Sequence, residues 1–147
     1  MPTIEEIVQR DIWSVAEGSH NELPLIIRFR EEFKDRPDVS CYPHRLIVSW
    51  KYAEGESGLP SGELSFELGQ FEDYLVEALE SDLVAVLSAV ITNAGERQWI
   101  FYTKNLDSCQ TRINALPQVG EPYPLHLTAE PDSEWEFLYD GVLAGMQ

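Results

Sequence analysis

The chain has 147 residues, 44% of them apolar and 24% charged, which suits one domain with a sizeable core. Ten Lys and Arg stand against 26 Asp and Glu, a formal charge of -16. A field of that sign repels phosphate backbones and anionic lipid, so it argues against a nucleic-acid or membrane-surface partner.

The first residues, "MPTIEEIVQR", read as a short helix to about Arg10. Thr3 is the N-cap and Glu6 closes a capping box, with Ile4, Ile7 and Val8 on one face. No basic stretch leads into an apolar run here, so no signal peptide is expected. "DIWSVAE" and "LPLIIRF" read as two strands around the turn "GSHNE". "REEFKDRPDVSCYP", charged and with two prolines, reads as a loop. In "HRLIVSWKY" the residues Leu46, Val48, Trp50 and Tyr52 share one strand face, and Arg45, Ile47, Ser49 and Lys51 share the other. The loop "AEGESGLPSG" follows.

Ser61 caps a long helix predicted over Gly62 to Glu80. Leu64, Leu68, Phe71, Leu75 and Leu79 form its apolar stripe, while Glu63, Glu67, Asp73, Glu77 and Glu80 form an acidic face. Gly69 in its interior suggests close packing against a neighbour. From Tyr52 to Glu96 there are ten acids and no Lys or Arg, whereas six of the ten basic residues fall between Arg28 and Lys51.

"LVAVLSAVIT" is apolar on both sides, which predicts a strand buried on both. Its longest apolar run, around Leu83 to Ile91, is far short of the about 20 residues that span a bilayer. It pairs as a hairpin with "ERQWIFYT" through Asn93-Ala94-Gly95. "NLDSCQTRINALP" predicts a second helix, capped by Asn105 or Asp107 and stopped by Pro117. "YPLHLTAE" is a last strand, and "DSEWEFLYDGVLAGM" a terminal helix or mixed segment.

From His44 onward the order is β-α-β-β-α-β, which predicts an α+β, ferredoxin-like fold: a four-stranded antiparallel sheet with two helices on one face. The chain then reads as a single domain over 1–147. Residues 1–40 add a helix and hairpin, 42–129 form the core, and 132–147 form a C-terminal segment. Ala85, Leu87, Ala89 and Ile91 alternate with Val84, Val86, Ser88 and Val90, so one of these sets faces away from the helices. A large apolar face does not stay bare. The hairpin and C-terminal segment cover it, or a second copy does as a homodimer.

Few motifs carry chemistry. Trp99 and Phe101 behind Arg97 imitate an RNA-recognition strand, but Gln98 replaces the glycine that pattern needs. Cys41-Tyr42-Pro43-His44 offers C-x-x-H with no second ligand pair, and His20 and His126 are isolated, so no metal or cofactor is expected. Cys41 and Cys109 make no disulfide scaffold, and the expectation is a cytoplasmic protein with both thiols reduced. No nucleophile elbow, phosphate loop or zinc-protease motif is present, and adjacent Glu72 and Asp73 point to different sides of a helix. The expectation is therefore a non-catalytic protein-binding module. It pairs an acidic face for a basic partner with an interaction patch of Arg45, Arg97, Trp99 and Phe101. The alternative is a small enzyme or ligand-binding protein with a pocket between hairpin and sheet, holding Arg97 with a carboxylate and a histidine.

The motifs "PLIIRFRE", "YPHRLIVSWKY", "GLPS", "FEDYLVEAL" and "VITNAGERQWIFYTK", with a late acidic-Pro-then-Trp segment, resemble the domain of unknown function 695 family. The resemblance runs from about Trp13 to Tyr139. It implies no catalytic residue. The family looks related in fold to the acidic regulator of ribonuclease activity B, a protein inhibitor of a bacterial RNA-degrading enzyme. That likeness implies a small acidic bacterial protein that acts by binding another protein.

Overall fold

A computed structural model describes residues 1–52, 57–118 and 122–144. The first part of the loop "AEGESGLPSG" and the end of "DSEWEFLYDGVLAGM" lie outside the described residues. The elements run in the order α1 (Ile4–Arg10), β1 (Trp13–His20), β2 (Leu23–Arg30), a 3-10 turn (Glu31–Asp35), β3 (His44–Lys51), α2 (Gly62–Glu80), β4 (Ala85–Asn93), β5 (Glu96–Thr103), α3 (Leu106–Asn114), β6 (Leu125–Pro131) and a C-terminal π-helical segment (Phe137–Leu143).

The helix starts follow their caps. Thr3 and Glu6 form the expected reciprocal capping box on α1. Ser61 Oγ accepts from the Leu64 amide at 3.3 Å on α2, and Asn105 Oδ1 accepts from the Ser108 amide at 3.0 Å on α3. The first hairpin is tighter than predicted: β1 runs on to His20, and only Asn21 and Glu22, both at positive φ, make the turn. A two-residue turn with both φ values positive matches the right-handed twist of the flanking strands. Ala94 and Gly95 turn β4 into β5 the same way. A side chain on Gly58 would meet Ala94 Cα at 2.8 Å, so only glycine lets this loop close on that turn.

All five strand pairings are antiparallel, in one sheet ordered β1-β2-β4-β5-β3-β6. The fold is thus α+β with a six-stranded sheet rather than four strands. The predicted hairpin cover is corrected: β2 pairs with β4 and widens the sheet. Core lies on both faces. Against one face, α2 and α3 bury Leu68, Phe71, Leu75, Leu79, Cys109 and Ile113 on Val48, Trp50, Leu87, Trp99 and Phe101. Against the other, Ile4 and Ile7 of α1, Phe33 of the 3-10 turn, and Trp135, Leu138 and Val142 cover Ile47, Val86, Ala89, Ile100 and Tyr102. The predicted loop from Arg30 to Pro43 therefore carries an ordered turn, because Phe33 is fully buried there.

The two predicted faces of β4 are also corrected. A bulge at Leu87/Ala89 shifts the alternation by one. Ala85, Leu87 and Val90 meet α2 and α3, while Val86, Ala89 and Ile91 meet the other layer. Ser88, the extra residue, turns its hydroxyl to Ile100 O at 2.8 Å.

Candidate protein-interaction site

Two of the predicted patch residues are core. Trp99 and Phe101 have no accessible surface. The Trp99 ring meets Phe71 edge to face at 5.1 Å, and its Nε1–H donates to Glu72 Oε1 at 2.8 Å. Arg97 is half-buried at the margin of that layer and donates through Nε to Thr92 Oγ1 at 2.9 Å. Arg45 does not join them. It pairs in register with Tyr102, whose ring belongs to the opposite layer. The four residues form no common surface, because residues 97, 99 and 101 alternate onto the face that α2 covers.

Arg45 instead helps to pin the C-terminal segment. It donates to Asp132 at 3.1 Å and to Glu130 at 2.9 Å, and its guanidinium lies over the Phe137 ring. Asp132 also accepts from Tyr102 Oη at 2.8 Å and from the amides of Glu136 and Phe137. Burial opposes ionisation of Asp132, but these donors outweigh it and hold its carboxyl below the ordinary range. A depressed folded pKa contributes stability that is fully present above the unfolded carboxylate pKa and is lost as pH falls through the folded one. Asp132→Asn should therefore cost about 2 kcal/mol at neutral pH. That deficit should shrink as pH falls below about 4. Urea titrations of both proteins at several pH values check this, and a gap constant with pH contradicts it.

The acidic face is four-fifths present. Glu63, Glu67, Asp73 and Glu77 are exposed on the outer side of α2. Glu80 is not among them. It is 7% exposed and forms a bidentate pair with Arg30, both bonds 2.7 Å, while accepting from the Leu87 amide at 2.8 Å. The last turn of α2 lies against β2 and β4, so position 80 meets a buried arginine rather than water.

The prediction missed two rings on that outer side. Phe66 is 69% exposed and Tyr74 is 42% exposed. The signal was in the spacing: Phe66 falls midway between Leu64 and Leu68, about 180° from the apolar stripe. Tyr74 and Glu77 continue into a groove of about 650 Å³ between the ends of α2 and α3. Ala78, Ser81, Leu116 and Pro117 line it, along with the Arg112–Asp82 pair. Arg112 binds both Asp82 oxygens, at 2.7 and 2.8 Å, and the hydrogen bonds hold that exposed carboxyl down at about 2. Acidic side chains, two exposed rings and an adjoining groove thus lie together on the outer side of α2.

A second hollow lies on the other face of the sheet. It measures about 460 Å³ and lies between β2, the β4–β5 end and the C-terminal segment. Leu25, Ile27, Ile91, Phe137 and Val142 make its walls; His20, Asn93, Glu96 and Gln98 supply polar groups. It holds a histidine and a carboxylate but not Arg97, which belongs to the opposite face. Among the described residues no three His, Cys, Asp or Glu side chains stand together as metal ligands. Cys41 is exposed, Cys109 is buried, and neither is in a disulfide. No described helix is long and apolar enough to cross a membrane.

The model of a family described as "Family of unknown function (DUF695)" matches residues 11–141. No curated protein and no solved structure matches the chain.

Proposed function

The chain belongs to the DUF695 family, whose function is unknown, and from that premise we propose that it is a non-catalytic, cytoplasmic binding module that takes a basic protein partner on the outer face of α2. The observation that carries this reading is Phe66. A phenylalanine 69% exposed, at the centre of a face bearing Glu63, Glu67, Asp73 and Glu77, gives an apolar anchor inside an attractive field. The acids steer the partner's encounter and the ring provides affinity once water leaves. Tyr74 and the α2–α3 groove extend the contact. Phe66 and Tyr74 take the role the sequence assigned to Trp99 and Phe101. A ferredoxin-like arrangement of residues 42–129 draws support from the order β4-β5-β3-β6 and from α2 and α3 on one face. A homodimer through the same α2 face is disfavoured, since it would set four acids against four.

The test is capture from the host lysate with tagged wild type, Phe66→Ala and Glu63→Lys/Glu67→Lys. One basic protein should be retained by the wild type, be released at high salt, and be lost at least about tenfold with either variant. Equal capture by all three proteins would refute the α2 site.

A second reading rests on the hollow of about 460 Å³ over β2, β4 and β5. Its size and its apolar walls with a few polar groups suit a small ligand. Binding there would be lost in Gln98→Leu and unaffected by Phe66→Ala.

A further inference from the structure

The hollow of about 460 Å³ over β2, β4 and β5 changes character along its length, and strand register sets the change. Leu25, Asn93 and Glu96 stand side by side in the row next to the Ala94-Gly95 turn, and Ile27, Ile91 and Gln98 fill the row behind it. The third row, Phe29, Ala89 and Ile100, is buried, so the hollow closes there. Its outer end is therefore polar and its inner end apolar, with Phe137 and Val142 as the facing wall. Gly141 in that wall has nothing within 4 Å of where a side chain would begin, which leaves the space beside it open.

The polar end is rich in acceptors. Asn93 Nδ2 donates to Pro24 O at 2.8 Å, which commits the amide nitrogen and leaves Oδ1 to meet a ligand. Glu96, its register partner, presents a half-buried carboxylate. Gln98, one row inward, accepts or donates as a ligand requires. Lys51, opposite Glu96 on β3, is exposed and does not line the hollow, and His20 stands at its rim on the hairpin end. The sequence at 53–56, 119–121 and 145–147 includes no Lys, Arg or His to neutralise Glu96. A chain of formal charge -16 also draws cations toward such an opening.

We propose, on the reading that this hollow takes a small ligand, that the ligand is a primary ammonium ion carrying a short apolar chain. The ammonium group has three donors, and Glu96, Asn93 Oδ1 and Gln98 Oε1 supply the acceptors. The apolar chain lies inward along Ile27 and Ile91 toward Phe137, where water leaves on binding. A carboxylate head would meet Glu96 and the field of the whole chain. An alcohol would meet the same walls without the charge-assisted bond to Glu96.

The probes are hexylamine, hexanol and hexanoate, one apolar chain with three heads, at pH 7 and matched ionic strength. The readout is the methyl resonances of Ile27 and Ile91. Hexylamine should shift them saturably, hexanol should bind at least about tenfold more weakly, and hexanoate more weakly still. Glu96→Gln should bring hexylamine down to the level of hexanol and leave hexanol unchanged. If Glu96→Gln does not fold, Glu96→Asp draws the carboxylate back by one methylene and should weaken hexylamine alone. No saturable shift with any probe would overturn the hollow as a ligand site. Hexanol or hexanoate binding as tightly as hexylamine, or a Glu96→Gln protein that binds hexylamine as the wild type does, would overturn the amine class and leave the small-ligand reading standing. None of these outcomes depends on Phe66 or the α2 acids, so this site and the partner site fail separately.

Discussion

Glu80→Ala should destabilise the fold by about 3–5 kcal/mol, the usual cost of stranding one member of a buried ion pair. Arg30 and Glu80 are nearly inaccessible, with side-chain exposures of 3% and 6%. Glu80 takes two hydrogen bonds from the guanidinium and one from the Leu87 amide. Removing it leaves Arg30 with Leu87 O, the Trp13 ring and Asp11, whose side chain is 58% exposed. The same pair ties the first hairpin to the end of α2, so loss of Glu80 should loosen β1 and β2 first. Chemical denaturation measures the total, and amide exchange locates it. Replacing both partners, as Arg30→Met with Glu80→Leu, should cost less than Glu80→Ala alone, because no charge is then stranded. A Glu80→Ala protein within about 1 kcal/mol of wild type would show that Asp11 and solvent compensate, contrary to this account.

Trp99→Ala should cost a comparable amount, about 3–5 kcal/mol, through loss of buried area and the cavity left behind. Its ring is fully buried against Phe71, and its N–H is a partner of Glu72. Trp99→Phe keeps most of the volume but not the hydrogen bond, and should lie between. Phe66→Ala, by contrast, should leave stability within about 0.5 kcal/mol, as a change on an exposed helix face. The comparison separates the two aromatic residues by role: Trp99 holds the fold, and Phe66 is free to meet the proposed partner. A stable Trp99→Ala protein that loses its partner would return Trp99 to the surface and undo the assignment of both.

Much of the architecture was legible because local rules settled it. The Thr3–Glu6 box, the Ser61 cap and the Leu64 to Leu79 stripe locate α1 and α2 by hydrogen bonding and the 3.6-residue period alone. The Asn93-Ala94-Gly95 turn places β4 beside β5 in the same way. The shifted faces of β4 were not legible. Its alternation is apolar on both sides, so a bulge at Ser88 leaves no trace in the pattern. Nor was the route of the hairpin, since an edge strand and a covering strand bury similar residues.

For the site, the sequence by itself determined the charge: a helix with no basic residue and an acidic face of five carboxylates follows from composition and period, of which the structure leaves four exposed. It also contained Phe66 off the stripe. Only the tertiary structure decided which aromatic residues are free. Trp99 and Phe66 are equally apolar, and what separates them is whether another layer lies above. That depends on α2 crossing β5, a contact between residues far apart in the chain. The same holds for the charges. Glu77 and Glu80 are one turn apart, yet one meets water and the other a buried Arg30, because Arg30 of β2 and the Leu87 amide of β4 stand beneath the helix only at the second.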